Sequence, residues 1–264
     1  MKKLSFLVPI IVIAAVSLLA YNLLAAGTIN QVGFIAMTAG AMILMAFMRP
    51  KDANQTTNPK AIEEALGEFA KDVFQDDSKA SAAFRSAVKD YAGNMPKAAL
   101  NKILKLEGQC RDDKETYAVA MVTALCYIAG QNYEAAIKQY NRAIVIHPTS
   151  ELAATIGSCQ QRIGELKKAR DSYEFALELD ENNINARAQL ATAYVASRKY
   201  QDALDNAMLA LEIDEHHASS LATVAICHGV LGDNVLYKHY TDKAANEGYK
   251  VEKIKDTVAA LTRK

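Results

Sequence analysis

The chain has 264 residues, 51% of them apolar and 23% charged, and its 30 basic and 30 acidic side chains leave no formal net charge. That length allows one medium domain or two small ones. Binding a phosphate backbone needs a clustered positive surface, and this balance gives no reason to expect nucleic acid as a partner. Cys110, Cys126, Cys159 and Cys227 are scattered without a paired motif, and no disulfide framework is expected.

Residues 1–50 contain no Asp or Glu; their only charges are Lys2, Lys3 and Arg49. Residues 4–26 are long enough to cross a bilayer core, which takes roughly 20 apolar residues. A short uncharged break, GTINQ, leads to a second apolar run over 32–48, closed by Arg49 and Lys51. Two such runs with positive charge at both outer ends predict a transmembrane helical hairpin over 1–49, embedded through residues 4–48, with both ends on the cytoplasmic side. Ala36 and Gly40 would let the two helices approach closely. The rival reading is a cleaved signal peptide, with Lys2 and Lys3 before the first apolar stretch. Residues 50–59 are polar, carry two prolines and read as a linker.

From residue 60 onward the expected domain is helical. The segment after Pro59 places Ile62, Leu66, Phe69 and Val73 on one helical face, as an N-terminal capping helix would. DSKASAAFRSAVKDYA and GNMPKAALNKILKL then read as a helix pair, with Asn94 as cap and Pro96 in the first turn. Together these form a capping region over 60–112.

A repeat occupies about 117–249. Ala136 recurs as Ala169 and Ala203, and Ala143 as Ala176, Ala210 and Ala244, at steps of 33 or 34 residues. Tyr140 matches Tyr173, and Tyr133 matches Leu166 and Tyr200. Each unit reads as helix, tight turn, helix. Small faces let antiparallel helices nest closely, with an aromatic one turn away filling the gap to the next pair. Gly130, Gly164 and Gly232 are the expected left-handed stops of the first helices, and Pro148 ends a second helix. Residues 250–264 form an amphipathic C-terminal cap.

The 34-residue period, the Tyr-x-x-Ala step and the following Tyr and Ala make this segment resemble the tetratricopeptide repeat family. The resemblance implies a right-handed α-solenoid of four units, the last degenerate, and with the transmembrane hairpin read above the expected fold is all-α. Departures fall at the usual aromatic of each first helix, here Ala120, Ala153 and Arg187, and at the Leu-Gly pair, kept only as Ile156-Gly157. Packing there should be looser or filled differently.

Cys126, Cys159 and Cys227 share one repeat position, where Ala193 stands in the remaining, third unit. Small buried volume explains them better than chemistry. Cys110 lies in a polar loop and is the candidate reactive thiol. His216-His217 falls in a turn, where adjacent side chains seldom converge on one ion. Neither metal-binding nor nucleophile motifs occur, so no catalysis, cofactor, metal or small-molecule substrate is expected.

Stacked helix pairs expose an inner groove lined by their first helices, and the resemblance places binding there. The expected lining is Met121, Leu125 and Ile128, then Ala154, Ser158, Gln161 and Arg162, then Ala188, Thr192 and Val195. An extended peptide or a partner helix could lie across it. Family members that clamp acidic chaperone C-termini present Lys and Asn, then Asn, then Lys and Arg where this chain has Met121 and Leu125, then Thr155, then Asn185 and Gln189; the charges that would hold two carboxylates are missing, so that subtype is excluded. The expected function is a membrane-tethered adaptor in a bacterial inner membrane, with cytoplasmic repeats gripping a protein partner. Alternatives are a periplasm-facing envelope assembly factor, a regulatory subunit of an enzyme complex and a self-assembling scaffold.

Overall fold

The computed structural model describes residues 70–74 and 78–263. The hairpin of 1–49, the 50–59 linker and most of the N-terminal capping segment lie outside the described residues. Among the described residues no helix is long and apolar enough to cross a membrane. Eleven helices are described: α1 (Ser78–Ala92), α2 (Pro96–Glu107), α3 (Asp113–Ala129), α4 (Tyr133–Ile146), α5 (Ser150–Arg162), α6 (Leu166–Leu179), α7 (Ile184–Ala196), α8 (Tyr200–Ile213), α9 (Ala218–Leu231), α10 (Asn234–Asn246) and α11 (Val251–Thr262). They divide into two compact units, one made by the described residues up to Asn132 with Val145–His147, the other by Tyr133–Ile144 with the described residues from Pro148 onward.

In the first unit α1 and α2 pair antiparallel and α3 packs on α2. Phe74 meets Phe84 with ring centroids 5.3 Å apart, over a floor of Ala87, Ala99 and Ile103. Pro96 opens α2 as expected, but Asn94 does not cap it. The cap position is Met95, and Asn94 takes a left-handed turn at φ 61°, a conformation its short polar side chain tolerates. At the head of α3 the Asp112 carboxylate accepts from the Glu115 amide at 2.8 Å. Glu115, almost fully buried, accepts from the Arg111 amide at 2.8 Å and from its guanidinium at 2.6 and 2.9 Å. A capping side chain and a buried carboxylate thereby satisfy each other's surroundings, a variant of the capping box.

The second unit repeats one device. Ala136, Ala143, Ala169, Ala176, Ala203, Ala210 and Ala244 are all fully buried, so the alanine spacing does mark the close-packed face. Tyr140 and Tyr173 are buried beside them. Tyr173 lies over Gly157, where a Cβ would come within 2.7 Å of the ring. The final pair inverts this arrangement. Tyr237 stands where Ala136, Ala169 and Ala203 stand, and Gly229 makes room for it, since a Cβ there would lie 2.8 Å from the ring. Ile128, Gln161 and Val195 hold the position of Gly229 in the other pairs. The last repeat is therefore not merely eroded: bulk has moved from one helix to its partner.

The missing first-helix aromatics are filled differently, as expected. Ala153 is buried in a small cluster with Ala176 and Ala186, against which Ile144 and Leu177 pack. Arg187 reaches the Glu181 carbonyl at 2.8 Å.

Two registers show how tightly the period is kept. Thr149 and Asn183 each cap a first helix by accepting an amide two residues into it, and His217 occupies the same place 34 residues later without doing so. Left-handed backbone recurs at Gln131, Gly164, Arg198 and Gly232, at steps of 33, 34 and 34. The first of these corrects the sequence reading: Gly130 has an ordinary negative φ, and Gln131 turns the chain. The turn geometry belongs to the repeat, and glycine occupies it in only two of four cases.

A non-glycine residue in this conformation costs about 1–2 kcal/mol. Gly164→Ala, whose Cβ would meet no neighbour within 4 Å, should lower stability by about 1 kcal/mol through backbone strain alone. Arg198→Gly should raise it by about 0.5–1 kcal/mol, glycine's unfolded-state entropy offsetting part of the relief. Urea denaturation checks both signs.

A pH response follows from two histidines. Burial lowers the pKa of His147, whose Nε2 is buried without a partner, and of His217, where Asp214 opposes the shift. Both favour the neutral ring when folded, so their contribution is intact above the unfolded value near 6.5 and is lost as pH falls below it. His216, fully exposed, is shifted up, chiefly by its hydrogen bond to Glu247, and acts in the opposite sense, but solvent screens it. The urea midpoint should fall between pH 7.5 and 5.5, and His147→Gln should flatten the slope.

Candidate functional site

Within the second unit the first helices α5, α7 and α9 touch in succession, while α6, α8 and α10 hardly meet one another. A row of helices that crowds on one side and spreads on the other is curved, and the crowded row is the inner one. The inner faces of α5 and α7 are therefore the candidate binding surface.

The structure divides the expected lining residues. Met121, Leu125 and Ile128 sit on α3, in the first unit; Leu125 is buried, while Met121 and Ile128 are half-buried. On α5, Ala154, Ser158 and Gln161 are half-buried and Arg162 is exposed. On α7, Ala188 and Val195 are buried and Thr192 is half-buried. Leu125, Ala188 and Val195 thus offer almost no surface to a partner. One residue along a helix turns the side chain by about 100°. That rotation carries the open stripe onto Glu151, Thr155, Ser158 and Arg162 of α5, and Asn185, Gln189, Thr192 and Ala196 of α7. Thr155, Asn185 and Gln189 are the positions already aligned with the chaperone-clamp register. The family pattern therefore carried the signal that the apolar reading of the groove passed over.

Several of these side chains are held in place. Ser158 donates to the Ala154 carbonyl at 3.0 Å, and the buried Tyr173 hydroxyl reaches Gln161 at 3.1 Å and Ser158 at 3.3 Å. Thr192 donates to the Ala188 carbonyl at 3.0 Å. The Arg162 guanidinium lies 5.9 Å from the centre of the Tyr133 ring. The stripe is polar, and its one cation rests on an aromatic face.

The cysteines and histidines have local explanations. Burial pushes the thiols of Cys126 and Cys159 up to about 11 and that of Cys227 to about 12, which suppresses the reactive thiolate. Cys110 is only half-buried, and its thiol donates to the Leu106 carbonyl at 3.3 Å. His216 pairs with Glu247 at 2.7 Å and His217 with Ser220 at 2.8 Å, so the two rings engage different partners. Among the described residues no three His, Cys, Asp or Glu side chains are grouped as metal ligands would be.

No family model matches the sequence. A segment of 120 residues, 42% of the chain, is 28% identical to the Protein CTR9 homolog of Arabidopsis thaliana, and it spans 11% of that protein's length. Solved structures match more widely. MamA aligns over 61% of this chain and 93% of its own, with a TM-score of 0.56 at 15% identity. YrrB, described as a TPR protein with an unusual peptide-binding site, aligns over 70% and 93% with a TM-score of 0.55 at 18% identity. The Cut9-Hcn1 hetero-tetramer of the APC/C aligns over 94% of this chain and 46% of that one, with a TM-score of 0.63 at 12% identity.

Under native conditions at pH 8 a thiol reagent should label Cys110 first, leaving Cys126, Cys159 and Cys227 protected until denaturant is added. Cys110→Ser should abolish the native signal, as mass spectrometry of the labelled peptides would show. The described chain has the tetratricopeptide-repeat type of fold, an all-α stack of helix pairs.

Proposed function

We propose that this chain is a membrane-tethered adaptor that binds and does not catalyse, holding an extended polypeptide against the inner faces of α5 and α7. One observation carries the reading: polar side chains line up across adjacent inner helices, with half-buried Thr155 and Ser158 and exposed Arg162 on one, and exposed Asn185 and Gln189 with half-buried Thr192 on the next. Asn and Gln amides both donate and accept, which suits a peptide backbone whose groups alternate. Arg162 favours a partner with a carboxylate near that end. The unusual peptide-binding site of YrrB, and the assembly of Cut9 with Hcn1, support the same use of the fold.

The tether rests on the sequence of residues 4–48, whose length and flanking charge suit a hairpin in a bacterial inner membrane with the repeats on the cytoplasmic side. Holding the repeats at a membrane would raise the local concentration of whatever they bind.

A photo-crosslinking residue at Ala196, exposed on the same stripe, should trap a defined partner in the full chain. Asn185→Ala with Gln189→Ala should weaken its capture about tenfold or more, whereas Lys167→Ala on α6 should not. Equal capture by all three proteins would defeat the inner-face assignment. Digestion of the repeats by protease added outside spheroplasts would defeat the cytoplasmic orientation.

A further inference from the structure

Helix α11 breaks the stacking pattern of the second unit. Where α9 joins the preceding pair, it packs more on the second helix, α8, than on the first, α7. By contrast α11 packs mainly on α9 and only lightly on α10, so it lies over the inner row. Equivalent positions show what it covers. Thr155 is half-buried and Gln189 exposed, but Thr223 is only 4% exposed. Ser158 and Thr192 are polar and half-buried, whereas Ile226, in the same place, is apolar and buried. Gly229 leaves room here as well, since a Cβ would come within 2.9 Å of a Val258 methyl. The inner surface is polar and open over α5 and α7. Over α9 it turns apolar and is closed, and what closes it is a helix of this same chain.

The closure is slight. Ile254 is the one buried side chain of α11, while Val251, Val258 and Leu261 are half-buried. Lys250, at the head of the helix, makes no side-chain cap. A helix of this length is marginal in water without packing, and an element with so few buried contacts belongs to the low end of local stability. Glu252, Lys253, Lys255 and Asp256 are exposed, so α9 reads one apolar edge and ignores the rest.

We propose that the inner face of α9, centred on Ala222, Ile226 and Gly229, is a helix-binding seat that α11 fills in the free chain. A partner amphipathic helix takes it over, carrying branched aliphatic residues at the spacing of Ile254, Val258 and Leu261. α11 itself defines the chemistry the seat accepts. Because α11 is tethered, its effective concentration is in the millimolar range for a short link, so an incoming helix must either bind more tightly or gain additional contacts on α5 and α7. The proposal rests on the reading of the inner surface as a binding surface and adds to it a second, apolar station with a built-in competitor.

The test uses the full chain and a fluorescent peptide of residues 250–264 as the probe. Ile254→Asp should unseat α11 and leave α9 unchanged. By fluorescence anisotropy the probe should bind the I254D chain at least tenfold more tightly than the wild type, and a probe carrying I254D should bind neither. No gain in probe binding by an I254D chain that keeps its other helices by circular dichroism would overturn the proposal. If I254D loses more than one helix, a chain ending at Lys250 is judged by the same criterion. Wild-type dimers in light scattering that disappear in I254D would assign the seat to α11 of a second copy and overturn the partner-helix reading. The Asn185→Ala, Gln189→Ala chain separates the two ideas: failure of the probe leaves the α5–α7 surface standing, and failure of those substitutions to affect partner capture leaves the seat standing.

Discussion

Close approach of antiparallel helices over alanine is the constraint on which the repeat region depends. At Ala136, Ala143, Ala169, Ala176, Ala203, Ala210 and Ala244 the side chain is a single methyl with no exposed surface. A larger group there would drive the helices apart, and a core packed to crystal density does not absorb such a change without strain. The aromatic rings of Tyr140 and Tyr173 then become necessary, because two helices held this close leave a gap to the next pair that only a large flat group fills. Gly157 under Tyr173 is the extreme case of the same trade.

That constraint acts on volume and not on residue identity, which accounts for the last pair. Tyr237 occupies an alanine position and would be expected to break the stack. Removing the side chain across from it, at Gly229, restores the fit. Exchange of large and small across a contact keeps the packing density while erasing the sequence signature. The same logic covers Cys126, Cys159, Ala193 and Cys227, a shared position where small size suffices and where burial keeps the thiols protonated.

The surface follows from the packing. Once the alanine face and the aromatic wedge are fixed, the remaining side of each first helix is left to solvent. On α5 and α7 that side is polar, and its members are tied by short-range hydrogen bonds to helix carbonyls or to Tyr173. On α9 the same side is apolar and carries α11. A stack of this kind needs no change in its core to alter what it binds, because recognition sits on positions that packing leaves free.

The sequence by itself determined the helix pairs, their period, the buried alanines and the roles of Tyr140 and Tyr173, because spacing along a helix dictates which side chains share a face. It also determined that the fourth unit would look irregular. It missed the turn at Gln131, since a left-handed residue is imposed by the geometry of the repeat and glycine merely occupies it most cheaply. On α7 the open face was missed by about one residue of rotation: Ala188 and Val195 are buried, and Asn185 and Gln189 are open. Whether a side chain at the margin of a face is covered depends on how neighbouring helices cross, a distance and an angle that no single helix encodes. Only the tertiary structure could decide that α11 settles on α9 instead of continuing the stack. Its apolar stripe suits either place, and the choice is made by the shape of the surface already formed.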